Sequence, residues 1–164
     1  LQRVMSAPIG VVIDYAHTGE ALAKVLEVLR SLTDGRLIVV FGAAGERPIE
    51  RRHGMAQQAA RLADYAVLTE EDPRSEAPDA IIDDIARAMI AAGAEEGRKF
   101  ERVPDRAEAI IRAIAIAQEG DVILVAGKGH EPTIERSDGP HPWDEIGVVR
   151  AALKERFTDP DDWA

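Results

Sequence analysis

The sequence predicts a three-layer α/β domain: a mostly parallel sheet of about six strands with helices on both faces. Two observations carry this. Short apolar, β-branched runs alternate five times with stretches of helical periodicity. Such alternation calls for parallel pairing through right-handed crossovers. The runs are also apolar throughout, as strands covered on both faces must be.

The elements follow in order. "GVVI", Gly10–Ile13, reads as a buried strand. Leu22, Val25, Leu26 and Leu29 then recur at helical spacing, with Thr18 as N-cap. "RLIVVF", Arg36–Phe41, is the second strand, and a helix rich in Ala and Gln runs from about Arg51 to Leu62. "YAVLT", Tyr65–Thr69, is the third strand. The helix Ala80–Ala92 carries Ile81, Ile82, Ile85, Met89 and Ile90 on one side. "KFERV", Lys99–Val103, is a weaker strand, and Asp105 caps a helix through Ala117. "DVILVA", Asp121–Ala126, is the strongest strand signal. A hairpin around Thr133–Ser137 turns at Asp138-Gly139, and a last helix spans about Asp144–Arg156. The tail "TDPDDWA", Thr158–Ala164, reads as frayed.

The chain has 164 residues, enough for one domain with a sizeable core. It begins with Leu1 rather than Met, which is read as a piece of a longer chain. No apolar run is long enough to span a membrane, and no signal-peptide pattern occurs. Cysteine is absent, so there is neither a disulfide framework nor a thiolate metal site. These features fit a cytoplasmic protein. The net charge of −10 argues against nucleic acid as a partner.

In open α/β sheets, ligands bind beyond the carboxyl ends of the strands. Four loops fall there: "DYAHT", "GAAGERPIERR", "EEDPR" and "GKGHE". The last is not a Walker loop. Lys128 is followed by Gly129 instead of Ser or Thr, and Val122 stands where the first glycine is needed. "GAAGER" lacks the spacing of a dinucleotide fingerprint and reads equally as a plain turn. Arg47, Arg51, Arg52 and Arg74 are forks suited to carboxylate or phosphate, while Glu71, Asp72 and Glu131 suit an ammonium group. A pocket with both signs suits a zwitterion such as an amino acid; a solvated surface with incidental ion pairs is the plainer reading of any one residue. His17, His53, His130 and His141 show no metal-ligand spacing, and there is no G-x-S-x-G nucleophile.

Taken together and in order, "DYAHTGEAL", "FGAAGERPIERRHGM", "TEEDPRSE" and "LVAGKGHE" resemble the C-terminal domain of Mur ligases, of the MurE type, the UDP-N-acetylmuramoyl-tripeptide synthetases. "PDRAEAI", Pro104–Ile110, fits too, and the resemblance runs from about Val11 to Phe157. It implies a Rossmann-like third domain, residues 1–164, following a UDP-binding domain and a central ATPase domain that carries the P-loop. ATP phosphorylates the carboxylate of UDP-N-acetylmuramoyl-dipeptide, and an amino acid, meso-diaminopimelate in many relatives, attacks the acyl phosphate. The resemblance assigns Asp14 and His17 to the nucleotide. It assigns Arg52, Glu71, Asp72, Pro73, Arg74, Gly127 and Glu131 to the amino acid. Mg²⁺ belongs mainly to the central domain, and no catalytic residue is assigned in this stretch, which is expected to be inactive alone. Glu71-Asp72 replaces the family's Asp-Asn, Ala44 replaces a glycine, His53 a proline, and Gly19 a proline. Two alternatives follow: a paralogous ligase with another amine substrate, or a non-catalytic ligand-binding module.

Overall fold

A computed structural model describes residues 1–157, so the tail read as frayed lies outside the described residues. Its main sheet contains β1 (Gln2–Met5), β2 (Gly10–Asp14), β3 (Leu37–Phe41), β4 (Tyr65–Leu68), β5 (Phe100–Arg102) and β6 (Val122–Ala126). The spatial order is β1-β2-β6-β3-β4-β5. Five strands run parallel, and β1 pairs antiparallel with β2 at one edge. A separate hairpin joins β7 (Thr133–Arg136) and β8 (Gly139–Pro142).

Among the described residues, five helices cover the sheet: α1 (Gly19–Ser31), α2 (Ile49–Leu62), α3 (Pro78–Ala91), α4 (Arg106–Ile116) and α5 (Glu145–Arg156). Successive strand residues point to opposite faces, and the two cores divide accordingly. Leu37, Val39, Phe41, Leu68 and Leu124 pack with Leu22, Leu26, Met55, Ile82 and Ile85 of α1–α3. Ile38, Val40, Val67, Ile123 and Val125 pack with Ile110, Ile114, Val149 and Leu153 of α4 and α5. The chain moves outward from β2 through β5 with α1–α3 on one face, then returns to the centre at β6. A right-handed return must cross the other face, and α4 does so. The reversal beside β6 is the switch point at which α/β sheets bind ligands.

Thr18 caps α1 through Oγ1 and Asp105 caps α4 through its carboxylate, as the sequence predicts; Asp144, expected inside α5, caps it instead. Three details differ. The strand β1 has no counterpart among the expected elements. The helix α2 begins at Ile49, just past Pro48, not at Arg51. Ile90 is 51% exposed, because one step of 100° past Met89 carries it off the stripe formed by Ile82, Ile85 and Met89.

Candidate functional site at the carboxyl ends of the strands

The strands β2, β3, β4 and β6 end together, and glycines let their loops touch. A side chain on Gly42 would place its Cβ 2.2 Å from the Thr69 carbonyl oxygen; on Gly45, 2.0 Å from that of Pro73. The Gly45 N–H donates to the Asp72 carbonyl at 2.8 Å. Glu46, in the left-handed region at φ 56°, accepts from the Ser75 N–H and hydroxyl. Loop 42–48 is thus clasped to loop 70–76. Gly127 closes the other side: its N–H donates to the Asp14 carbonyl at 3.1 Å.

Within this frame stand three carboxylates and one ammonium. Lys128 is 1% exposed, and its Nζ donates to Asp72 Oδ1 and Glu131 Oε2, each at 2.7 Å. The Tyr15 hydroxyl donates to the other Glu131 oxygen at 3.1 Å. Asp72 also accepts the Glu135 N–H, which ties hairpin strand β7 to the loop. Glu71 is 5% exposed, and its Oε2 is buried with no hydrogen-bond partner. Burial pushes its carboxyl up to about 7; Arg106 opposes this and Asp72 reinforces it.

A fully buried arginine fixes the spacing beneath these groups. Arg106 forms a two-point pair with Glu145 at 3.0 and 2.6 Å. Its remaining donors reach the carbonyls of Glu70, at 3.0 Å, and Ala126, at 2.8 Å. Those carbonyls mark the ends of β4 and β6. Trp143 Nε1 donates to Glu145 at 2.7 Å, and Arg136 pairs with Glu70. Burial disfavours the Arg106 cation, but Glu145, Glu71 and Glu70 together outweigh it and the guanidinium stays charged.

The remaining expected residues fall as follows. Asp14 ends β2 and accepts the Ala16 N–H at 2.9 Å. His17 Nδ1 lies 2.9 Å from the Tyr15 carbonyl, and its ring sits 4.7 Å from that of Tyr15. Asp14, Tyr15, Gly129 and His130 line a cleft of about 260 Å³. Arg74 takes φ 54° and donates its N–H to the Glu135 carbonyl. Pro73, Arg74, Arg136 and His141 line a second cleft of about 390 Å³, beside the hairpin. Arg52 stands apart from the cluster: it is 4% exposed and its guanidinium is bound by Glu76 and Asp84. Glu71, Asp72, Gly127 and Glu131 therefore meet directly, whereas Arg52 braces α2 against α3. Among the described residues, no group of three or more His, Asp or Glu converges as a metal cage.

A family model described as "Mur ligase, glutamate ligase domain" matches residues 1–129. The chain belongs to that family. The UDP-N-acetylmuramyl-tripeptide synthetase of Roseiflexus sp. (strain RS-1) is 45% identical over 148 residues, 90% of this chain and 29% of the relative. The UDP-N-acetylmuramoyl-L-alanyl-D-glutamate–2,6-diaminopimelate ligase of Chlorobaculum tepidum is 49% identical over 144 residues, 87% of this chain and 27% of the relative. A solved structure of a ligase of the latter name superposes with a TM-score of 0.85 at 35% identity, covering 94% of this chain and 31% of that one. The chain thus spans under a third of each of these three proteins.

Sequence reasoning left three residues of this site without a role: Lys128, Arg106 and Tyr15. One signal for Arg106 was present. It occupies the first position of α4, where a cation opposes the helix dipole; such a residue needs a partner elsewhere, here Glu145.

Proposed function

We propose that this chain is the C-terminal domain of a longer ATP-dependent amide ligase that adds the third residue, meso-diaminopimelate, to UDP-N-acetylmuramoyl-dipeptide in peptidoglycan synthesis. The observation that carries the reading is the pairing of an acidic cluster, Glu71, Asp72 and Glu131, with Arg74 two residues further on. The cluster suits an ammonium group and Arg74 a distal carboxylate. Two of the relatives described above share this activity by name.

On this reading Glu71, Asp72, Pro73, Arg74, Gly127 and Glu131 contact the amino acid, and Arg52 acts through the loops it braces. Asp14 and His17 contact ATP, whose phosphates and Mg²⁺ belong to the central domain; UDP-N-acetylmuramoyl-dipeptide arrives with the preceding domains. The reaction is cytoplasmic. Asp72, an aspartate where the family has asparagine, adds a charge that Lys128 neutralises at 2.7 Å. This favours retention of the acidic substrate over a different amine.

The test is Arg74→Ala in the full gene product. Removing one partner of a buried, hydrogen-bonded charge pair costs about 2–5 kcal/mol, so the KM for meso-diaminopimelate should rise at least about 30-fold. An unchanged KM removes Arg74 from the substrate.

A further inference from the structure

The loop after β6, residues 127–131, is a wall with two sides. Gly129 and His130 line the cleft that Asp14 and Tyr15 also line. Gly127 and Glu131 belong to the acidic cluster: Gly127 packs on Glu71, and Glu131 shares Lys128 with Asp72. Three contacts join this wall to the loop after β2. The Gly127 N–H donates to the Asp14 carbonyl at 3.1 Å. Gly129, at φ 55°, packs so closely on Tyr15 that a Cβ there would lie 3.1 Å from the tyrosine Cβ. The Tyr15 hydroxyl donates to Glu131 Oε1 at 3.1 Å.

The two oxygens of Glu131 are therefore held from different loops, Oε1 by Tyr15 and Oε2 by Lys128. Held twice, the carboxylate has one orientation; held once, it can turn about the Lys128 contact. Partial burial and the Glu131 charge both raise the pKa of the Tyr15 hydroxyl, which keeps it a donor. The tyrosine itself is half-exposed, so water competes for this hydrogen bond. His17 steadies the ring from the other side. The two ring centroids lie 4.7 Å apart, and His17 Nδ1 is 2.9 Å from the Tyr15 carbonyl oxygen. A continuous line of contacts thus runs from His17 through Tyr15, Glu131 and Lys128 to Asp72.

We infer that Tyr15 is a positioning residue whose hydroxyl couples the nucleotide to the amino acid across this wall. The inference rests on the reading above, in which Asp14 and His17 contact ATP and Glu131 contacts the amino acid. A nucleotide against His17 restricts the Tyr15 ring, keeps its hydroxyl on Glu131 and so fixes that carboxylate for the amino acid. The ordering is done once for two ligands, and each therefore tightens the other. By linkage the factor is the same in both directions. A single half-exposed hydrogen bond sets it at the low end of coupling between sites, about 5-fold.

The test is calorimetric titration of the full gene product with UDP-N-acetylmuramoyl-dipeptide present throughout. A non-hydrolysable ATP analogue and meso-diaminopimelate are each titrated alone and with the other saturating. The readout is the ratio of each Kd without and with the other ligand, which a uniform loss of affinity does not move. Wild type should give about 5-fold in both directions. Tyr15→Phe keeps the ring and removes the hydroxyl, and should bring both ratios to within about 1.5-fold of unity. Ratios of one in wild type, or the wild-type ratios retained in Tyr15→Phe, overturn the inference. A Tyr15→Phe that weakens the amino acid equally with and without nucleotide also overturns it, because Tyr15 then only props Glu131. Phosphate release from ATP is measured alongside. Release with meso-diaminopimelate but uncoupled Kd values sinks this inference alone; no release with any amine from folded wild type sinks the ligase reading, and this inference with it.

Discussion

Replacing Arg106 by methionine removes a group that joins the ends of β4 and β6 to the start of α5. Its partner Glu145 is 2% exposed and would keep only Trp143 Nε1 as donor. Stranding one member of a buried pair costs about 3–5 kcal/mol. The carbonyls of Glu70 and Ala126 would also lose a charged donor, at about 1–3 kcal/mol each if no water replaces it. These terms overlap, so a total of about 4–6 kcal/mol is expected, a large share of the 5–15 kcal/mol typical of a domain. The assay is urea unfolding followed by far-UV circular dichroism, with m-values compared to exclude a change of unfolding mechanism. The pair Arg106→Met with Glu145→Gln separates the terms. Glutamine can still accept from Trp143 but carries no charge to strand. The double variant should therefore recover at least about 2 kcal/mol relative to the sum of the singles, as a coupling energy. A loss below about 1 kcal/mol for Arg106→Met, or strictly additive singles, would refute the reasoning.

Two further outcomes follow from the same geometry. Gly19 and Gly54 meet where α1 crosses α2, but unequally. A Cβ on Gly19 would lie 2.8 Å from the Gly54 carbonyl carbon, whereas one on Gly54 meets nothing closer than 3.7 Å. Gly19→Ala should cost about 1–3 kcal/mol and Gly54→Ala should gain about 0.5–1 kcal/mol, both read from urea midpoints; the opposite ranking contradicts the packing. Glu71 has a folded pKa of about 7 against an ordinary 4.5. The folded state therefore holds a proton that the unfolded state has released between those values, so stability falls as pH rises through that window. At 1.36 kcal/mol per pH unit, the loss is about 3 kcal/mol by pH 8. Glu71→Gln should flatten that slope in urea titrations at pH 5 and 8, and an unchanged slope assigns the pH dependence elsewhere.

The parallel core of the fold was legible because β2, β3, β4 and β6 are uninterrupted apolar runs, and their periods contrast sharply with the helical stripes of α1 and α3. The edge was not. The β1 segment "QRVM" offers one buried residue, Met5, and gains its place only by pairing with β2. The β7–β8 hairpin was legible from its Asp138-Gly139 turn, although its second strand, "GPHP", contains two prolines, which a strand tolerates only at an edge. The acidic residues of the candidate site were visible because they follow strand ends, where charges have few structural reasons to cluster. The partnerships were not visible. Lys128 meets Asp72 across 56 residues and Arg106 meets Glu145 across 39. The ends of β4 and β6 bring the first pair together, and the packing of α4 against α5 the second. The partners of Arg52 were equally hidden: Glu76 and Asp84 hold its guanidinium from 24 and 32 residues away.

The most direct test of the central claim is an amine panel on the full gene product, supplied with ATP, Mg²⁺ and UDP-N-acetylmuramoyl-dipeptide, with phosphate release as the readout. The account predicts release with meso-diaminopimelate and little with lysine, because only the former offers Arg74 a distal carboxylate. Release with lysine alone, or with neither amine from a folded protein that still binds ATP, would contradict it.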